Sequence, residues 1–147
     1  MRSLTILCAL LGSAMLSLAH ADQKTDFGDY TVHYNAYPST ILSADVAKQY
    51  DLTRSKAIGY VSVSVLPSNE PSAKPRGLEA DIDGEVLNDI RQSKALEFKR
   101  IKEGQALYYL APFQFQPGQM LVFKLEIRPT GQESTFPLRF SQEFFND

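Results

Sequence analysis

The sequence is poor in reactive and metal-binding side chains, with one cysteine (Cys8), two histidines and no tryptophan among its 147 residues. A single cysteine cannot form an internal disulfide, and a thiolate metal site needs several cysteines or histidines at close spacing. Neither sign of charge is in large excess, since 15 basic and 17 acidic residues give a formal net charge of only −2 at pH 7. A nearly balanced chain lacks the basic surface that nucleic acid or an anionic membrane attracts. These shortages exclude a disulfide scaffold and argue against nucleic acid as a partner.

The first ~21 residues have the pattern of a secretory signal peptide. Arg2 supplies a positive charge near the N-terminus, and residues 4–18 form a mainly apolar segment without charged residues. Ala19-His20-Ala21 then has the small-x-small form that signal peptidase cleaves. The apolar segment is about 15 residues long, whereas a helix needs about 20 to cross a bilayer. A membrane anchor is therefore disfavoured, and Cys8 lies too far from the cleavage point for a lipoprotein. We predict residues 1–21 as signal peptide and residues 22–147 as one periplasmic domain.

The predicted domain has about 126 residues, an ordinary size for a single hydrophobic core without disulfides. No further apolar segment is long enough to span a membrane after signal cleavage. No serine lies in a Gly-x-Ser-x-Gly turn, and no glycine-rich loop precedes a helix. The sequence therefore predicts no cofactor and no known catalytic motif.

Apolar and polar residues alternate with a period of two along most of this domain, as in strands with one buried face. Ser43, followed by Val46, Ala47 and Tyr50 at helical spacing, predicts one short helix with Ser43 as its N-cap. Residues 67–77, with three prolines, are expected to form a long hairpin loop. The predicted strands cover about residues 30–37, 58–66, 78–86, 96–100, 106–115, 120–128 and 135–145.

About seven short strands and one short helix predict an all-β fold, an immunoglobulin-like antiparallel β-sandwich. The likeness to immunoglobulin domains concerns the architecture only, because the chain has no tryptophan and no cysteine pair. A small closed barrel is the alternative arrangement of the same strands.

Several segments of the chain resemble a family of small exported proteins of gammaproteobacteria, the domain-of-unknown-function 4426 (DUF4426) family. The segments are Phe27–Tyr30, Val32–Tyr34, Arg54–Lys56, Leu96–Phe98, Glu103–Tyr109, Phe123–Ile127 and Phe140–Phe144. The resemblance extends over nearly the whole predicted domain. It implies export and an all-β fold, and it brings no catalytic residues.

Few polar residues are candidates for a site. His33 is the one histidine after the predicted cleavage, and its place opposite the apolar set predicts a surface histidine, with a general base or pH sensor as the alternative. Arg54 and Lys56 border a strand, where they can pair with a carboxylate of a ligand or of the protein itself. Asp29 follows Phe27-Gly28, a position typical of turn chemistry, with calcium binding as the alternative.

Aromatic residues are abundant, with nine Phe and seven Tyr. Most of them fit the buried phase of their strands. Tyr37, Tyr109 and Phe145 are predicted on the opposite phase, where they either line a binding patch or are covered by the second sheet or the helix.

The sequence therefore favours a non-enzymatic periplasmic binding or interaction module, with no catalytic and no metal-binding residues. Its partner is expected to be another periplasmic or envelope protein or a second copy of the chain, recognised by a sheet face or by the open first or last strand. The alternative is a small periplasmic hydrolase or ligand-binding protein with a pocket between the sheets, near His33, Asp29 and Arg54. The candidate binding residues are Asp29, His33, Tyr37, Arg54, Lys56 and Tyr109.

Overall fold

The computed structural model describes residues 23–68 and 76–145, and the predicted signal peptide lies outside them. Two short helices are present in these residues, a 3-10 helix over Ser39–Ile41 and α1 over Ala44–Gln49. The strands are β1 (Gln23–Phe27), β2 (Tyr30–Pro38), β3 (Ile58–Pro67), β4 (Ala80–Leu87), β5 (Ser93–Ala95), β6 (Lys99–Glu103), β7 (Ala106–Gln114), β8 (Gln119–Pro129) and β9 (Phe136–Phe144).

The strands form two antiparallel sheets, one in the order β1-β2-β3-β7-β6 and the other in the order β5-β4-β8-β9. The core lies between them, where Val32, Val61 and Phe113 of the first sheet meet Phe123 and Phe144 of the second. Two separate sheets packed face to face confirm the predicted all-β sandwich of immunoglobulin-like architecture. The same strands do not close into one small barrel.

The alternation in β8 and β9 is confirmed by burial. Leu121, Phe123, Leu125 and Ile127 of β8 are all buried, while Lys124, Glu126 and Arg128, which alternate with the last three of them, are exposed. Rings on the inner faces contact across the two sheets, with Phe113 and Phe123 at a centroid distance of 5.0 Å and Tyr34 and Phe140 at 4.7 Å. Interlocked aromatic pairs of this kind fix how the two sheets are placed on each other.

Two strands were not predicted from the sequence. β1 pairs with β2 through a tight turn in which Gly28 has a φ of 61°, and β5 is a three-residue strand beside β4. Both are mostly exposed, so they show no apolar alternation, and main-chain hydrogen bonding rather than burial forms them. The predicted strand at Leu96 also starts later, at Lys99.

The predicted hairpin between β3 and β4 is wrong. β3 pairs with β2 and β7 in the first sheet, whereas β4 pairs with β5 and β8 in the second. The chain therefore crosses between the sheets here. Proline-rich segments mark a reversal of direction without indicating which sheet the next strand joins. Residues 69–75 of the predicted loop lie outside the described part.

The predicted helix and its cap are confirmed. The Ser43 hydroxyl oxygen accepts a hydrogen bond from the backbone N–H of Val46 at 3.2 Å, so it satisfies one of the unpaired donors of the first turn of α1. α1 follows β2 after the 3-10 helix, and it lies against the outer face of the five-stranded sheet, on the side away from the core.

Candidate functional site

A second apolar cluster lies on the outer face of the five-stranded sheet. Tyr60, Ile101 and Leu110 are buried there, although their strand positions point away from the core between the sheets. The chain segment between β2 and β3, which contains α1, covers them with the side chains of Leu42, Tyr50 and Leu52. This segment therefore adds a partial third layer to the sandwich.

Side chains tie this covering segment to the sheet. Ser39, which is fully buried, donates its hydroxyl to the backbone carbonyl of Ser55 and accepts from the backbone N–H of the same residue, both at 2.8 Å. The Tyr60 hydroxyl accepts from the backbone N–H of Thr53 at 2.8 Å. The Lys99 ammonium donates to the Tyr50 carbonyl at 2.6 Å. The segment is thus closed on itself by Ser39 and Ser55 and fixed to the sheet at two places, Tyr60 and Lys99, so the space beneath it is preformed.

The space between α1 and the sheet is an open groove of about 200 Å³. Two apolar side chains at its mouth, Val46 of α1 and Tyr108 of β7, are each 38% exposed. Glu103, on the edge strand β6, is the one charged residue among the described residues that line it. We call this feature the α1 groove; its lining residues are Tyr37, Leu42, Val46, Tyr50, Leu52, Ser62, Ile101, Glu103, Tyr108 and Leu110.

Two tyrosines of the α1 groove have shifted acidities. Burial raises the pKa of Tyr37 above its usual value of 10.0, and the neighbouring Tyr60 raises it further. Removal from solvent also raises the pKa of Tyr50, followed by the charge of the Glu103 carboxylate and a hydrogen bond to it. Because the raised pKa values lie above 10.0, Tyr37 and Tyr50 ionise only in alkaline solution, and Glu103 is the charged residue of the lining.

A larger depression of about 670 Å³ lies on the outer face of the four-stranded sheet. Five of its eleven lining residues are charged. Like charges lie directly opposite each other where Asp83 faces Glu126 and Lys124 faces Arg139, and Lys124 also faces Glu85 on its other side. All of its lining residues belong to the strands of this one sheet. The α1 groove is the feature whose apolar lining converges from several elements, as binding pockets do.

The structure places the candidate residues in different surroundings. Tyr37 lines the α1 groove. His33 is half-buried on the same sheet face, in register with Lys24 of β1 and Ser64 of β3, and about 13 Å along β2 from Tyr37. Asp29 is exposed in the turn between β1 and β2, where its carbonyl accepts from the backbone N–H of Ser68.

Arg54 and Lys56 are both exposed in the loop that joins α1 to β3. Neither takes part in the two ion pairs of the described residues, which join Arg100 to Glu79 and Arg128 to Asp81. The structure does not bring Arg54 and Lys56 together with Asp29 and His33 in one site. Of the six candidate binding residues, one belongs to the α1 groove.

Tyr109 is buried in the core and is not on the outer face. The alternative of cover by the second sheet is therefore the one observed, although the predicted phase was incorrect. β7 is covered on both faces near its middle, so Tyr109 points between the sheets and Leu110 points into the outer cluster. Phe145, in contrast, is 56% exposed.

The alternative of a pocket between the sheets near His33, Asp29 and Arg54 finds no counterpart in the described residues. Aromatic and branched side chains fill the space between the sheets. None of the three residues lines the α1 groove, the depression on the four-stranded sheet or a smaller depression beside β4 and β5.

Most residues of the α1 groove were missed at the sequence level. Leu42, Val46 and Tyr50 were recognised only as the apolar side of a helix, without a partner surface. A usable signal was present in β7, where Leu107–Ala111 is apolar on both phases, a pattern that indicates cover on both faces of a strand.

Comparison with known proteins agrees with this fold. A model of the DUF4426 family, described as a domain of unknown function, matches residues 24–147. The chain belongs to the DUF4426 family. No curated protein matches the sequence.

A crystal structure of a DUF4426 family protein from Pseudomonas aeruginosa PAO1 is similar to this chain. The two share 32% sequence identity with a TM-score of 0.73, and the match covers 86% of this chain and 96% of the other. The DUF4426 fold described above is thus shared with a solved relative over nearly its full length.

More distant similarity extends to two copper-bound proteins. A variant of FetP from uropathogenic Escherichia coli strain F11 has 8% identity and a TM-score of 0.60, covering 84% of this chain and 95% of FetP. A variant of P19 from Campylobacter jejuni has 11% identity and a TM-score of 0.55, covering 84% and 94%. At such identities the likeness concerns the fold alone.

The described part of this DUF4426 chain contains no helix that is both long and apolar enough to cross a membrane. Nor do residues 23–68 and 76–145 bring together three or more His, Cys, Asp or Glu side chains in a group suited to a metal ion.

Proposed function

We propose that this protein is a non-enzymatic periplasmic binding module whose recognition site is the α1 groove. The observation that carries the proposal is a preformed apolar groove outside the core, with two half-exposed apolar side chains, Val46 and Tyr108, at its mouth. Apolar surface left open beside a rigid framework is typical of sites that receive a partner.

The proposed occupant is one large apolar side chain of a partner polypeptide, next to a lysine or arginine. A volume of about 200 Å³ is below the ~300–1,000 Å³ of typical small-molecule pockets, so it suits a single side chain better than a whole ligand. Glu103 supplies the charge complementarity, because it is the charged residue of the lining and lies on the open edge strand β6.

The absence of enzymatic activity is part of the proposal. His33, the histidine among the described residues, lies outside the lining of the α1 groove. The polar groups of the lining are the hydroxyls of Tyr37, Tyr50, Tyr108 and Ser62 and the carboxylate of Glu103. The pKa values of Tyr37 and Tyr50 are raised further away from neutral pH, which does not suit proton abstraction under physiological conditions.

The periplasm is the proposed compartment. The signal-peptide pattern of residues 1–21 supports it. So does the production of FetP, which shares the fold at 7% identity and a TM-score of 0.59, in the periplasm of Escherichia coli.

Copper binding is not part of the proposal, although FetP and P19 bind copper. Copper in proteins is held by imidazole, thiolate and thioether groups. In the described residues such groups are His33 on β2 and Met120 on β8, which belong to different sheets. These residues do not fit a copper site.

A peptide-display selection on the purified exported protein tests the groove. We expect the selected peptides to share a large apolar residue next to lysine or arginine, and binding to weaken at least about tenfold in Tyr108→Ala and several-fold in Glu103→Gln. Phe145→Ala is the control, since it removes an exposed aromatic side chain outside the α1 groove.

Selected peptides that bind the wild type and the two groove variants equally well would place recognition elsewhere and refute the proposal. Loss of binding in the Phe145→Ala control alone would do the same. Circular dichroism of each variant shows that the fold is kept.

A further inference from the structure

The last strand, β9, forms one edge of the four-stranded sheet, and it is the longest of the edge strands. It has nine residues, compared with five in β1, five in β6 and three in β5. An open edge presents unpaired N–H and C=O groups that another strand can bond. β6 is protected by Lys99, Arg100 and Lys102, charges of the kind that blunt sheet edges, whereas β9 carries one charge of each sign.

The backbone direction in β9 follows from two observations. The carbonyl of Phe144 accepts from the N–H of Gly118, the residue just before β8, at 2.7 Å, so the backbone groups of even-numbered residues face β8. Those of odd-numbered residues then face the open edge, because successive residues of a strand alternate. Pro137 fits this phase, since its missing N–H falls on the unpaired side. Arg139, Ser141 and Glu143 therefore direct both their N–H and C=O groups outward.

The side chains of the same residues are self-complementary. In its own chain Arg139 lies opposite Lys124, a like charge, and Glu143 lies opposite Met120. Like charges directly opposite on neighbouring strands are unfavourable, and opposite charges are favourable. If two β9 strands pair antiparallel with Ser141 opposite Ser141, each Arg139 lies opposite Glu143 of the second copy.

This register also uses the exposed aromatic residue at the end of β9. Phe145, which is 56% exposed and directly follows β9, comes opposite Pro137 of the second copy when this pairing extends one residue beyond the strand. Hydrogen-bonded pairs in an antiparallel ladder recur every two residues. The outward backbone groups of Arg139, Ser141 and Glu143 are therefore all bonded to the second copy in this register.

We propose that two copies of this protein associate through β9, pairing antiparallel about Ser141, so that the two four-stranded sheets become one continuous sheet. The interaction is isologous, with the same strand used by both copies, as a two-fold axis requires. It is independent of the α1 groove, which lies on the other sheet.

Charge reversal gives the first test, by sedimentation equilibrium of the protein purified from the periplasm. We expect a dimer that weakens at least about tenfold in Arg139→Glu and in Glu143→Arg, and that recovers when both changes are made in one chain, because the pairs are then exchanged. Lys102→Glu, an exposed charge reversal on the other sheet, is the matched control and leaves the dimer unchanged.

Covalent trapping gives the second test. Residues in a hydrogen-bonded antiparallel pair have Cα atoms about 5.5 Å apart, within the range of a disulfide. Ser141→Cys is expected to form a disulfide-linked dimer under mild oxidation, whereas Ser134→Cys, exposed in the turn before β9, does not. A monomer at all concentrations, a dimer indifferent to both charge reversals, or equal trapping of the two cysteine variants would overturn the proposal.

Discussion

The hydroxyl of Tyr109 accepts a hydrogen bond from the backbone N–H of Ala80 at 2.9 Å, inside the core of the sandwich. Tyr109 belongs to β7 in the five-stranded sheet, and Ala80 is the first residue of β4 in the four-stranded sheet. Both are buried, at 7% and 8% exposure. A polar contact thus joins the two sheets where β4 begins, and it satisfies a donor that would otherwise be buried without a partner.

The Tyr109→Phe variant tests this contact. It keeps the ring and removes the acceptor, so the N–H of Ala80 is left unpaired, and we expect the free energy of unfolding to fall by about 1–3 kcal/mol. Urea denaturation followed by circular dichroism measures it. Tyr108→Phe, on the exposed neighbour, is the control and should change stability by less than about 0.5 kcal/mol.

A second prediction concerns Ser39, which anchors the segment that carries α1. Ser39→Ala removes both hydrogen bonds to Ser55 and leaves the backbone N–H of Ser55 without its partner, while the Ser55 carbonyl keeps its bond from the N–H of Ile58. We expect a loss of about 1–3 kcal/mol in the free energy of unfolding. Hydrogen exchange should also speed up for amides in α1 more than for amides in β8. Equal protection of α1 in the variant and the wild type would show that Ser39 does not hold the segment.

A third prediction concerns alkaline pH. The pKa of Tyr37 is raised in the folded state, chiefly by burial and then by Tyr60, so the folded state favours the protonated phenol. Its contribution to stability is complete below pH ~10 and is lost as the pH rises through the folded-state pKa. We expect unfolding free energies to decline above pH ~10 and to decline less steeply in Tyr37→Phe. A pH profile identical in the variant would contradict the assignment.

A fourth prediction concerns copper. Because His33 and Met120 lie in different sheets, we expect no saturable copper site and no rise in melting temperature on adding one equivalent of copper. Thermal unfolding with and without copper, in the wild type and in His33→Ala, provides the measurement. A copper-dependent rise that disappears in His33→Ala would refute the prediction.

Local patterns in the sequence predicted much of the fold. The period-two alternation of Leu121–Ile127 fixed which face of β8 is buried, and the cap at Ser43 located the start of α1. These features depend on neighbours a few residues away, so they can be recognised from the sequence alone. β1 and β5 were missed because their pairing depends on strands they contact in space and not on their own composition.

The candidate site was much less predictable. Tyr37 was recognised, but its neighbours in the α1 groove come from α1 and from the strands β6 and β7, far apart in sequence. Tyr109 was assigned to the wrong face, because a strand covered on both sides shows no clear alternation.

The sequence by itself determined that the chain is a disulfide-free all-β domain of the DUF4426 type, since alternation, turn residues and the lack of cysteine pairs act locally or by composition. Only the tertiary structure decided that β3 and β4 join different sheets, that α1 covers an apolar patch outside the core, and that β9 ends at an open edge. The physical reason is that each of these depends on which distant strands bond to one another, and that choice is made by burial of the whole core rather than by any single segment.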